Sequence, residues 1–427
     1  MELLFLSAHL PSPNAWQAGQ KIGYHICEFL ARKHRVHLLA FATESELESF
    51  CGEGAGIFHC WDAIPVNNST RLRGVISSSR LPVAVGARNS SAFRRKLRQL
   101  FQTHRFDVVL LNHTAMWQYT NYLADVPLRG GIAHDVLSQL WDRRASRAAR
   151  GVSSWAFRFE SKRILEWERQ ALSKLDFVVS LSAKDDALLV QLKPEVKRLV
   201  IQPWVACPAN VGSILESARK PNGVVFWGAL DRAENIDAVA LAVREIVPRV
   251  REAVPDFKFY VAGSRSEAVA SVTDGVPNVV RTGFVNDIGG FLSGMQVGLL
   301  PLRQGAGVKI KTLECMAAGV AVVTTAVGAE GIAAARGVHF LIGETPQDLA
   351  RYTVQLLRRP EDARQMGERA RAWFASEYDF GRPMAVLESF LVANTRRIAK
   401  RESSGSCTTG VCLDQPNGQY IATKTIE

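Results

Sequence analysis

Two lysines and a glutamate follow a glycine turn in the run GAGVKIKTLECMAAGVAVVTT, residues 305–325. The apolar run VGLLPL precedes it and reads as a buried strand; VAVVTT, at its end, reads as another. Between them the spacing predicts a helix beginning near Lys309 and carrying Glu314 in its first turns. A tight glycine loop at a helix start exposes backbone N–H groups to the positive end of the helix dipole. Lys309 and Lys311 add full positive charges, and Glu314 lies one turn beyond Lys311 on the same face. Cations and N–H groups suit a diphosphate, and a neighbouring carboxylate suits a ribose diol. Together they point to a nucleoside diphosphate as ligand.

Two better-known phosphate motifs do not fit. GAGVKIKT ends in Lys-Thr as a P-loop does, but GxxxxGK[ST] needs glycine where this chain has Ile310. The dinucleotide fingerprint GxGxxG also places its third glycine on Ile310. The cluster Gly52, Gly54 and Gly56 has neither that spacing nor a preceding strand.

The segment resembles the donor-site signature of the family 4 glycosyltransferases, whose fold is GT-B. That family usually carries two glutamates eight positions apart, ahead of an Ala-x-Gly turn and a valine-rich strand. Here the second is Glu314 and the first position is Ala306, a departure shared by a glycine-rich subgroup. The resemblance implies that Glu314 binds the ribose and Lys311, in the KxxE position, the diphosphate. Lys309 is a supporting candidate, and Thr312 closes the motif. Backbone N–H groups of Gly305, Ala306 and Gly307 are implied substitutes for the missing carboxylate.

Length and composition set the frame. At 427 residues, with 47% hydrophobic and 22% charged residues, the chain suits two globular domains. No apolar run reaches the roughly 18–20 residues that span a bilayer, and MELLFLSAHLPSP lacks a basic n-region. Seven cysteines, an odd number, agree with a cytosolic setting; Cys27, Cys51, Cys60, Cys207 and Cys315 lie in apolar segments without metal-ligand spacing. Cys407 and Cys412 lie in a polar tail.

The net charge of +11 is uneven. Residues 88–105 carry Arg88, Arg94, Arg95, Lys96, Arg98 and Arg105 with no acid, and residues 143–163 carry seven basic residues against one glutamate. In the first stretch Phe93, Leu97, Leu100 and Phe101 recur at helical spacing. Such a helix either docks on an anionic membrane surface or turns its apolar side to the core and its basic side to water. A nucleic-acid partner is not expected, because no recognition fold or aromatic–basic platform accompanies the charge.

Strands are expected at Leu3–Leu6, Val36–Phe41, Val108–Leu111, Gly131–His134, Phe177–Ser180 and Leu199–Ile201, and helices at Gln20–Ala31, Ser91–His104, Ser154–Lys174 and Ala183–Leu192. This alternation predicts a doubly wound parallel sheet over residues 1–205. A linker at 206–220 follows. A second Rossmann-like domain is expected over 221–380, with strands near VVFWG, FKFYVAG, VVRTGFV, VGLLPL, VAVVTT and His339–Ile342, and a helix through Asn235–Val250. The resemblance implies two such α/β domains facing across a cleft, with a terminal helix at 381–400 crossing back. Residues 401–427 read as a tail without fixed structure.

Further site residues come from the resemblance. Gly228 after the first strand of the second domain, then Gly263 and Gly283, would bring backbone close to the donor, with Phe284 and Val285 beside the base. Where many members place an arginine after the first of these glycines, this chain has Ala229, leaving Arg232 as a phosphate candidate. Gly19 matches the glycine loop of the first domain, although Ala18 replaces a second glycine. His134 would meet the donor sugar as a catalytic-site residue, with Asp135 orienting its ring; His9 is a weaker acceptor-side candidate.

The resemblance therefore implies a metal-independent, retaining glycosyltransferase using a nucleotide-diphosphate sugar. No DxD triplet occurs, so no metal and no cofactor are expected. The acceptor would be a glycan or lipid-linked molecule of a surface polysaccharide or glycolipid, met by a cytoplasmic protein peripheral to the inner face of a membrane. A catalytically inactive GT-B nucleotide-binding module, or another GT-B enzyme such as a sugar-nucleotide epimerase or phosphorylase, stays open.

Overall fold

In the computed structural model, the described residues are 1–15, 17–147, 152–205, 220–403 and 419–420. By contacts the chain divides into two units. The first comprises Met1–Ala15, Gly19–Pro203 and the described residues from Phe380 onward; the second is built on Trp204–Asp379.

The first unit is organised by one continuous apolar strand, β1 (Glu2–Ser7), buried along nearly its whole length. Such a strand needs cover on both faces, which a parallel sheet provides. It pairs in parallel with β2 (Arg35–Ala42) on one side, Leu3 opposite Val36, and with β4 (Val108–Asn112) on the other, Leu3 opposite Val108. β3 (Cys60–Pro65), absent from the expectation, extends the sheet beyond β2. β5 (Leu128–Ala133), β6 (Phe177–Ser180) and β7 (Lys197–Val200) continue from β4. The order is β14-β7-β6-β5-β4-β1-β2-β3, with β14 the two residues Gln419–Tyr420. That last pairing corrects the expectation of a wholly unstructured tail. The rest of residues 404–427, with Cys407 and Cys412, and linker residues 206–219 lie outside the described residues.

Strand order reverses between β1 and β4, so their carboxyl ends diverge and open a crevice. Around this sheet the helix Ser91–Thr103 is capped by the Ser90 hydroxyl, which accepts from Phe93 N. It buries Phe93, Leu97 and Leu100, and Phe93 stacks on Phe41 at 4.7 Å. Its apolar side is spent on the core, leaving only its basic side to solvent. The last helix, Gly381–Ser403, packs on the same unit: Met384, Leu387 and Leu391 are fully buried, and Phe390 meets Phe177 at 5.0 Å. Glu388 of this helix pairs with Lys33 and His34, each at 3.3 Å.

The second unit repeats the design. Its sheet runs β10-β9-β8-β11-β12-β13. These strands are β8 (Gly223–Trp227), β9 (Lys258–Ala262), β10 (Val279–Gly283), β11 (Val297–Leu300), β12 (Ala321–Thr324) and β13 (Leu341–Ile342). All pairings are parallel. The reversal falls between β8 and β11, and the Gly228 turn and the 305–307 loop both issue there. The helix expected through Asn235–Val250 is Ala233–Leu241 followed by a π-turn, Ala242–Ile246, and then Val247–Ala253. Pro248 offers no N–H to the preceding turn, and the widened ladder accommodates that loss.

Truncating the terminal helix tests its docking on the first unit. Leu391→Ala should lower stability by about 2–5 kcal/mol, the usual range for a buried leucine. Urea unfolding followed by fluorescence measures it; an unchanged midpoint would show that the helix does not pack as described.

Candidate functional site

At the carboxyl end of β8, Gly228 has φ of +149°, and Gly263 after β9 has φ of +146°. A Cβ on Gly263 would stand 1.8 Å from the Gly228 carbonyl oxygen, and one on Gly228 would stand 2.8 Å from Lys311 Nζ. Both positions therefore exclude side chains, for backbone conformation and for space. The chain is stitched across them by Gly228 N–H donating to Ala262 O at 3.0 Å and Gly263 N–H donating to Gly283 O at 2.8 Å.

Lys311, on the helix Ile310–Ala317, thus lies against the Gly228 turn, its Nζ also 5.9 Å from the Phe226 ring centre. Burial pushes its pKa down to about 8; Arg232 pushes the same way, and Glu314 and Glu234 oppose. A cation held in such a place gains from an anionic partner that stabilises its charged form. Arg232, more than half exposed, pairs with Glu234 at 3.1 Å.

Lys309 has a different task from Lys311. It is buried, and its Nζ donates to Ala306 O at 3.1 Å and Gly307 O at 2.6 Å and pairs with Glu330 at 3.5 Å. It fastens the glycine loop from beneath and so supports the segment that leads into Lys311. Gly305 and Gly307 take φ of +110° and +71°, which lets the loop turn back over that ammonium group. Thr312 is fully buried, and its hydroxyl donates to Gly328 O at 2.6 Å, holding the helix to the segment after β12.

Glu314 is partly buried, and its Oε2 accepts from the indole Nε1 of Trp227 at 3.1 Å. Trp227 is itself buried and ends β8, so a strand residue aims the carboxylate. Asn235 is a second residue that motif reading missed. It is buried beside Gly228 and donates to Ala229 O at 2.7 Å, while its Oδ1 has no hydrogen-bond partner among the described residues. Ala229 is buried as well. Gly283 takes φ of +70° at the end of β10; Phe284 beyond it is exposed and Val285 partly buried.

The first unit has its own polar cluster at the β1/β4 reversal. His134 follows β5, and its Nε2 meets Asn112 Oδ1 at 2.7 Å. Asn112 Nδ2 donates to Ser7 Oγ at 3.1 Å, and the Ser7 hydroxyl donates to His9 O at 2.5 Å. This chain fixes the proton on His134 Nε2 and leaves Nδ1 as an acceptor. Asn112 thus orients the His134 ring through Nε2. His134 stacks on His113 at 4.0 Å, and His9 meets His113 edge-on at 5.5 Å. Burial, then His9, holds the His134 pKa at about 3, so the ring is neutral at physiological pH. Gly19 lies against this pair: a Cβ there would stand 2.8 Å from His113 Nε2 and 3.5 Å from His134 Nδ1. His113 takes φ of +76°, a strained conformation for a non-glycine residue that costs about 1–3 kcal/mol. Arg88 donates to Ala8 O at 3.0 Å and to His9 Nε2 at 3.3 Å. Among the described residues no cluster with metal-ligand spacing occurs in either group; the one that does lies at the start of β3.

Known proteins resemble this chain in one family model and in overall fold. Residues 221–359 match the family described as Glycosyl transferases group 1. A curated relative, an uncharacterized 44.6 kDa protein in the cps region of Klebsiella pneumoniae, is 23% identical over 164 residues. That match covers 36% of this chain and 42% of the relative, so the chain spans less than half the relative's length. Solved structures match almost throughout. Anabaena HepE, in complex with UDP and glucose, has a TM-score of 0.61 at 13% identity, covering 94% of this chain and 99% of that one. A mutant of S. aureus TarM, in complex with fondaparinux, alpha-GlcNAc-glycerol and UDP, has a TM-score of 0.62 at 13% identity, covering 92% and 100%. The architecture of two parallel-sheet, Rossmann-like domains is that of GT-B glycosyltransferases.

The depressed pKa of Lys311 carries a sign. Its folded value, about 8, lies below the unfolded value near 10.5, so the cost of burying the charge is fully present below pH 8. That cost fades as pH rises from about 8 to 10.5. Lys311→Met should therefore be more stable than wild type at pH 7, with the gap narrowing by pH 10.5. Paired chemical-denaturation curves across that range measure it; a constant gap would refute the burial.

Proposed function

We propose that this chain transfers a sugar from a nucleotide-diphosphate sugar to a hydroxyl group, with retention at the anomeric carbon. The observation that carries the proposal is Lys311 packed against the side-chain-free Gly228 turn, one helical turn from a Glu314 aimed by Trp227. The lysine and the glycine loop at the start of helix Ile310–Ala317 suit the diphosphate; the free oxygen of Glu314 suits the ribose. Gly283, Phe284 and Val285 are proposed to border the base.

In this reading the departing diphosphate is the group whose negative charge grows in the transition state. Lys311 and the helix dipole stabilise it, so no side-chain nucleophile and no metal is needed. The leaving phosphate oxygen takes the acceptor proton on the same face. His134, neutral and with Nδ1 as an acceptor, can accept a hydrogen bond from a sugar hydroxyl and cannot act as a strong base. That UDP accompanies HepE and TarM supports a nucleoside diphosphate here, and the cps-region relative supports a surface-polysaccharide acceptor.

The first unit is further proposed to work at the cytoplasmic side of an anionic membrane. The helix Ser91–Thr103 contributes charge only, because its apolar face is buried. The helix Val152–Leu172 contributes more: Trp155 and Phe159 are exposed and stacked at 5.6 Å, with Arg163 over Phe159 at 5.8 Å. Among the described residues no helix is long and apolar enough to cross a membrane.

Thermal-shift measurements with UDP, GDP, ADP and dTDP, followed by transfer from the labelled sugar of the base that binds, test the donor site. One base should stabilise wild type, and Glu314→Gln and Trp227→Phe should each reduce that shift. Lys311→Ala should lower turnover by about 10²–10³-fold, the loss typical of one group that stabilises a developing anion. Binding without transfer would instead favour the inactive nucleotide-binding reading. Separately, the protein should float with anionic vesicles at low salt, and Trp155→Ser with Phe159→Ser should abolish flotation. Equal flotation of that variant would refute the proposed contact.

A further inference from the structure

Toward the amino ends of β2 and β3, three side chains distant in sequence converge. His37 on β2 and Cys60, the first residue of β3, are paired opposite each other across the parallel ladder. His37 Nδ1 lies 2.9 Å from Cys60 Sγ. His104, which caps the end of helix Ser91–Thr103, brings its ring to 4.9 Å from that of His37. One ligand atom from each of the three lies within 4.8 Å of the other two.

The surroundings prepare His37 as a ligand. Its ring is fully buried, and its other nitrogen, Nε2, stands 2.6 Å from Glu2 Oε2. An ionised carboxylate only accepts, so Nε2 carries the proton and the Nδ1 lone pair points at the thiol. The second oxygen of Glu2 pairs with Arg35 at 3.2 Å, which holds the carboxylate in place. A carboxylate that fixes the tautomer of a histidine from behind is the usual support of a metal-bound imidazole. A thiol–imidazole hydrogen bond accounts for His37 and Cys60 alone; His104, its Nδ1 2.8 Å from the Thr103 hydroxyl and its ring stacked on Phe106 at 5.8 Å, sets a third imidazole beside both.

We propose that His37 Nδ1, Cys60 Sγ and a ring nitrogen of His104 bind a zinc-class divalent cation. One thiolate and two neutral imidazoles form a borderline-soft donor set, with a fourth position left for water. Zinc bonds of about 2.0–2.3 Å at tetrahedral angles put nitrogen and sulfur roughly 3.6 Å apart, so the 2.9 Å pair opens by several tenths of an ångström on binding. The three ligands come from two strands and a helix end, so the ion acts as a clip joining β2, β3 and the helix Ser91–Thr103. It stands apart from the polar cluster at the carboxyl ends of β1 and β4.

The test uses the full chain, stripped with a chelator, kept reduced by a phosphine and titrated with Co²⁺. Wild type should saturate at one equivalent with thiolate-to-cobalt absorption in the near ultraviolet, and Zn²⁺ should displace the cobalt and raise the melting temperature. Cys60→Ser, a small change at a partly buried position, should lose the absorption and the Zn²⁺ stabilisation while keeping the melting temperature of the stripped wild type. His104→Gln should bind more weakly, and Glu2→Gln should lose about 10–100-fold in affinity, as supporting carboxylates typically do. A double Cys407→Ser, Cys412→Ser variant should behave as wild type. No absorption at one equivalent, its persistence in Cys60→Ser, or its loss in the Cys407/Cys412 double variant would each overturn the proposal.

Discussion

Backbone packs directly on backbone where β8 and β9 end, and the remainder of the second unit's site depends on it. The Gly228 carbonyl occupies the place a Gly263 side chain would need, and Lys311 occupies the place a Gly228 side chain would need. A β-carbon at Gly263 would push the two strand ends apart, and one at Gly228 would displace the lysine. The space so reserved puts an ammonium group against main chain at the sheet's topological reversal, where a ligand can approach backbone as well as charge. Trp227, the last residue before this turn, uses the same geometry to reach Glu314.

Two lysines separated by one residue are divided between structure and chemistry by this arrangement. Lys309 is consumed by two loop carbonyls and Glu330, and that consumption keeps the glycine loop folded. Lys311 points to the turn and bears an unrelieved cost of burial, visible in its lowered pKa. The position of the missing first glutamate, Ala306, belongs to the same economy: its carbonyl, rather than a side chain, is what the loop uses.

The first unit solves a different problem, which is to hold uncharged imidazoles in one orientation. Burial removes their charge, and the serine–asparagine–histidine chain from Ser7 through Asn112 settles where the proton lies. The strained backbone of His113 is kept by its N–H bond to Ile132 O at 3.1 Å and by stacking on His134. At the other end of the strands, His37 is oriented by Glu2 with equal definiteness but beside a thiol. A parallel sheet collects such residues at its two ends, because its faces are filled by apolar side chains.

Alternating apolar runs and helical stretches were enough to specify two parallel α/β sheets, since a strand without polar alternation must be covered on both faces. The glycine–lysine–glutamate run was equally legible, because its meaning lies in spacing along one loop and one helical turn. β3 escaped notice because CWDAIP, partly exposed along most of its length at the sheet's edge, lacks the apolar run that marked its neighbours. What tertiary structure alone decided were pairings between distant residues: Trp227 with Glu314, Asn112 with His134, and Cys60 beside His37 and His104. It also decided that the apolar face of Ser91–Thr103 turns inward. Periodicity records that a helix has two faces but not which neighbour covers one of them. A side chain's partner depends on register and packing across the fold, and neither is written in local sequence.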